Sequence, residues 1–159
     1  MDNKVNNIIK LIFFPILIIY FETFLKAFTY ETVFNIGYVY MCFFSLPFGL
    51  LFYLLSTSFS EKANKILFYL IVSFLSLYYG TQIIYYRIFY TFTSLYSVFV
   101  GAGKALSFTD VLSSALFNNI PELITVLLPL LVLSLLHKKI RFDKVPQKHI
   151  LKIALSGAV

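Results

Sequence analysis

The stretch "GTQIIYYRIFYTFTSLYSVFVGAGKALSFTD", residues 80–110, decides how many times this chain changes sides. An apolar, aromatic segment reaches Arg87, and sixteen uncharged residues follow, to Gly103. Working back from Arg87, residues 66–86 carry no Asp, Glu, Lys or Arg. Those 21 residues, at about 1.5 Å each, match the roughly 30 Å of a bilayer hydrocarbon core. Tyr78, Tyr79, Tyr85, Tyr86 and Tyr90 gather at the far end, where rings sit in apolar surroundings and hydroxyls reach water. A second crossing between Ile88 and Gly103 would lack both a turn at its start and sufficient length. The helix is therefore expected to surface at Arg87.

Upstream, residues 32–60 are also free of Asp, Glu, Lys and Arg. The composition is 60% hydrophobic and 13% charged, with a mean hydropathy of +0.86. A soluble domain of 159 residues has too little interior for that much apolar surface. The class is an all-α polytopic membrane helix bundle. Spans are expected at residues 8–28, 36–57, 66–86 and 120–137, with an incomplete fifth at residues 149–159. Pro15 marks an expected kink in the first span, and Pro47 with Gly49 a bend in the second. Lys4, Lys10 and the apolar run behind them look like a signal peptide, but bulky residues follow where a small-residue cleavage site would lie. The segment reads as a retained span.

Beyond "GAGKA", Ser107 and Asp110 have capping-box spacing, and Phe108, Val111, Leu112, Ala115 and Leu116 recur with helical period. This predicts a short amphipathic helix over 108–118, lying in the interface. Asn119, Pro121 and Glu122 then suit the cap and first turn of the fourth span.

The net charge of +6 belongs to loops between apolar segments, which points to membrane topology and anionic lipids and away from nucleic acid. With a cytoplasmic N-terminus, ten of the 13 Lys and Arg residues fall on the inner side. Lys26, Arg87 and Lys104 fall outside. Cys42 is alone, and His137 and His149 are twelve apart, so no metal-ligand cluster is legible. Glu22 and Lys26, four apart on one helical face, form a candidate interfacial ion pair.

Taken together, Glu22 late in the first span, the tyrosine-rich exit with Arg87, and the progression from "FTSLYS" through "GAGKA" to "FTD" resemble the lipoteichoic acid synthase family. These are membrane-anchored phosphoglycerol transferases of the sulfatase and alkaline phosphatase superfamily. A basic loop ahead of a fifth span fits the same pattern, and the resemblance covers about residues 20–136. It implies a bacterial cell-membrane protein whose catalytic domain follows the fifth span outside the cell. That domain would use a threonine nucleophile and a divalent metal such as manganese to transfer glycerol phosphate from phosphatidylglycerol. None of it is expected in these 159 residues, which read as a fragment carrying the anchor and no catalytic or metal-binding residue. Arg87 and Lys104 are the candidate lipid-phosphate contacts. The alternative class is a non-enzymatic membrane scaffold or small transporter subunit. The transporter predicts intramembrane charges or an internal repeat, and spans two to four show neither.

Overall fold

The computed structural model describes residues 3–30, 32–94, 96, 109–136 and 140–145. Five helices account for most of them: α1 (Asn3–Thr29), α2 (Ile36–Leu55), α3 (Glu61–Phe89), α4 (Thr109–Asn118) and α5 (Ile120–Leu136). The described residues contain no strand. In hydrocarbon a helix satisfies its backbone hydrogen bonds internally, so long apolar runs have this solution open to them. Three helices, α1 to α3, are long and apolar enough to cross a membrane. The shorter α5 has 17 residues, about 25 Å of helix.

Hydropathy marks where the long apolar helices lie, and hydrogen bonding sets their ends. Helix α3 begins five residues before the expected Ile66 and runs three past Tyr86. Its first turn carries Glu61, which suits the positive end of the helix dipole, and its last carries Arg87. Helices α1 and α2 both continue without interruption through their prolines.

Helices α1 and α2 form a hairpin whose contact relies on small side chains. Ser45, Gly49 and Tyr53 are the buried residues of α2, spaced by four. A methyl group at Gly49 would collide with the Pro15 ring of α1. Close approach through small residues is how membrane helices gain packing where lipid supplies no hydrophobic drive. On the other side of α1, Phe14, Leu17, Phe21 and Leu25 meet Phe68, Val72, Leu75 and Tyr79 of α3 in the core. Phe14 and Phe68 have ring centroids 4.6 Å apart. Large apolar side chains on the outward faces, including Phe34, Phe43, Phe44, Leu77 and Leu135, are exposed. That pattern suits a lipid environment.

Residues 140–145, neither helix nor strand, cross the end of the bundle where α1 begins. Ile140, Phe142 and Val145 point into the core, while Arg141, Asp143 and Lys144 are exposed. Phe142 packs edge-on against Phe68 at 5.5 Å. Two buried asparagines hold the backbone of this segment. Asn6 donates to the Arg141 carbonyl at 2.8 Å and accepts from its N–H at 3.1 Å. Asn64 donates to the Phe142 and Phe59 carbonyls, both at 3.0 Å, and accepts from the Phe59 N–H at 2.9 Å. Lys10 lies about two turns inside α1, only 1% exposed, and reaches the Asp143 carbonyl at 3.3 Å. The positive charges at this end are therefore not all in water.

Two expectations about the later helices meet different outcomes. Thr109–Asn118 is helical close to the expected bounds, whereas Ser107, the first half of the expected capping box, lies outside the described residues. Asn119 faces the opposite way from the reading above. Its side chain donates to the Ala115 carbonyl at 2.7 Å, closing the end of α4 instead of capping α5. With one residue between the helices, α4's unpaired carbonyls lie nearest to that amide. Lys104 and the expected fifth span also fall outside the described residues.

Candidate functional site

The opposite end of the bundle, where α1 and α3 finish, holds three of the four site residues expected from sequence. Phe21 of α1 stacks on Tyr79 of α3, with centroids 5.0 Å apart and planes 9° from parallel. This packing fixes the next residue on α1: Glu22 Oε1 accepts a 2.6 Å hydrogen bond from the Tyr79 hydroxyl. One turn on, the Lys26 ammonium donates to Asn35 Oδ1 at 3.5 Å and lies 5.8 Å from the centre of the Tyr38 ring. Asn35 caps α2 through the Tyr38 N–H at 3.2 Å. Glu22 and Lys26 thus share a face, as their spacing dictates, but each holds a partner on a different element.

Both side chains line a cavity of about 290 Å³ together with Tyr30, Tyr78, Gln82 and Thr93. A larger recess of about 640 Å³ lies between α2 and α3, walled by Phe44, Phe48 and Phe74. Glu22, Tyr78 and Tyr79 line both spaces, so a chamber of mixed character, with Lys26 and Thr93 beside Leu25 and Phe92, and an apolar groove meet at one carboxylate.

The roof of the chamber comes from the chain that follows α3, through Phe92 and Thr93. Helix α3 ends at Phe89, and Tyr90 adopts a left-handed conformation at φ 54°, its N–H bonded to the Tyr86 carbonyl at 2.8 Å. A non-glycine residue there carries about 1 kcal/mol of strain. The turn sends the chain back along α3. The buried Gln82 amide donates to the Thr93 carbonyl at 2.8 Å and accepts from its N–H at 3.1 Å. Phe92 packs on Tyr86, with centroids 5.0 Å apart. Helix α3 thus carries Arg87 in its last turn, and the chain then folds back over it.

Arg87 lies outside both cavities. Its Nη2 donates to Glu122 Oε1 at 3.2 Å, with Arg87 45% and Glu122 14% exposed. This pair joins the end of α3 to the first turn of α5. A second tie runs from the Tyr20 hydroxyl to the Thr125 carbonyl at 2.7 Å. A guanidinium has five N–H donors, so one carboxylate oxygen leaves most of its capacity for another acceptor.

No group of three or more His, Cys, Asp or Glu that could hold a metal occurs among the described residues. The family resemblance implies its divalent ion for a later domain and not for these residues. Gln82 and Thr93 escaped the sequence reading. A single glutamine in an apolar run was the available signal, since a buried amide must find partners. Comparison with protein-family models, with curated proteins and with solved structures returned no match.

Proposed function

We propose that this chain is the membrane anchor domain of a cell-envelope phosphoglycerol transferase of lipoteichoic acid synthase type. In this reading α1, α2, α3 and α5 each cross the bilayer, and α4 lies in the outer interface. A fifth crossing carries the sulfatase-like catalytic domain to the outside. The observation that carries the reading is the path of the chain after α5. Residues 140–145 return to the end of the bundle where α1 begins, so one more crossing delivers the following residues to the Glu22–Arg87 end. The Lys and Arg bias of the sequence orients that end outward. Arg87 and Lys104 engage the phosphate of an anionic lipid, with Arg87 steered by Glu122.

Topology is tested by labelling in whole cells. A cysteine replacing Ser107 should react with a membrane-impermeant thiol reagent, and one replacing Ala63 should not. The reverse pattern would remove the case for an outward catalytic domain. The enzymatic part is tested by the reading frame downstream of Val159: a sulfatase-like domain supports it, and a stop codon leaves a non-enzymatic scaffold. The purified 159-residue chain should show no turnover of phosphatidylglycerol.

A further inference from the structure

The geometry points to a lipid-binding site at Glu22, distinct from Arg87. Its occupant is a glycerophospholipid whose headgroup carries a hydrogen-bond donor beyond its phosphate. The groove between α2 and α3 has apolar walls, and Phe44 and Phe48 on its rim are exposed. Both helices are long and apolar enough to span the membrane, so acyl chains are what the surroundings offer to fill it. At Glu22 the groove meets the smaller chamber, which is lined by Lys26, Gln82 and Thr93. A chain entering from the lipid side therefore brings its headgroup to a carboxylate and an ammonium set side by side.

Charge decides what that headgroup must contain. Glu22 and Lys26 lie about 6 Å apart along the helix axis, and neither is partnered with the other. Among the described residues Lys26 has a long contact to Asn35 and a ring face, and an ammonium with donors to spare attracts a phosphate. Glu22 Oε1 is taken by Tyr79. A carboxylate has about four acceptor sites and is repelled by phosphate, so it requires a donor. A headgroup hydroxyl or primary ammonium a few bonds from the phosphate satisfies both side chains together. A headgroup ending in a methyl ester offers Glu22 nothing, and a quaternary ammonium offers it charge without a hydrogen-bond donor. This site does not depend on the anchor reading, and either proposal can fail without the other.

The experiment is native mass spectrometry of the detergent-purified full chain, titrated with two matched lipid pairs. Phosphatidylethanolamine and phosphatidylcholine share a net charge and differ in N–H donors. Phosphatidylglycerol and phosphatidylmethanol share a net charge and differ in hydroxyls. In at least one pair the donor-bearing lipid should bind about fivefold or more tightly, the size of one net hydrogen bond. Glu22→Leu should abolish that preference, Lys26→Gln should weaken both members of the pair alike, and Lys65→Gln at the far end should change nothing. If Glu22→Leu does not fold, Glu22→Gln keeps the size and one acceptor oxygen but removes the charge. The preference should then fall about threefold, since charged acceptors hold donors more strongly. Absence of discrimination in both wild-type pairs, or discrimination that survives the Glu22 variants, would overturn the site.

Discussion

The two ends of the bundle use similar polar side chains and reach opposite results. At the Asn6–Asn64 end, buried amides grip the backbone of residues 140–145, and apolar residues of the same segment fill the space beneath. At the Glu22–Arg87 end, one amide of this kind, Gln82, grips Thr93. Around it Glu22, Lys26 and the tyrosines leave two cavities open. Full satisfaction of buried polar groups gives a rigid closure, whereas spare capacity beside a cavity gives somewhere to bind. The difference separates a closed end from an open one.

The sharpest way to break this comparison is Asn64→Leu. It removes three hydrogen bonds at a fully buried position and orphans buried backbone groups at roughly 1–3 kcal/mol each. A loss of about 3–6 kcal/mol in denaturant unfolding of the purified protein is expected; a change under about 1 kcal/mol would show that this end is not closed as described.

Gln82→Leu should cost less, about 2–4 kcal/mol for two backbone partners. Its effect should be local, appearing as faster amide exchange at Thr93 with little change at Phe142. Equal loosening at both sites would mean that the two ends are one cooperative unit. The Arg87–Glu122 pair is smaller still. Because Arg87 is substantially exposed, a double-mutant cycle with Arg87→Gln and Glu122→Gln should give about 1 kcal/mol or less. That coupling should shrink in high salt. Smallest of all is Ser76→Ala. Ser76 Oγ is buried without a hydrogen-bond partner in α3, so its loss should leave unfolding within about 0.5 kcal/mol or shift it toward stability.

The helices were legible because a bilayer imposes a length and a polarity that single runs of sequence can display. Arg87 near the end of α3, Pro121 and Glu122 as a helix start, and the proximity of Glu22 to Lys26 all follow from local spacing. What escaped were contacts made by one side chain with a distant backbone. Asn6, Asn64 and Gln82 interrupt apolar patterns without creating one of their own, and their partners are peptide groups present at every position. Nor could local spacing reveal that Glu22 would turn to Tyr79, because that bond depends on how α1 and α3 stack. Asn119 misled for a related reason: a cap residue between adjoining helices can serve either one, and only three-dimensional proximity chooses.

The amide clamps also have a consequence for how this molecule can change over time. Gln82 recognises the peptide group of Thr93 and makes no demand on the threonine side chain, much as one rung of a sheet ignores what hangs from its neighbour. Asn6 treats Arg141 in the same way. The constraint therefore falls on one member of each pair alone. Substitutions other than proline should accumulate freely at the exposed position 141, and at the buried position 93 they are limited by space and not by Gln82, so neither contact would leave the paired substitutions by which touching residues are usually recognised.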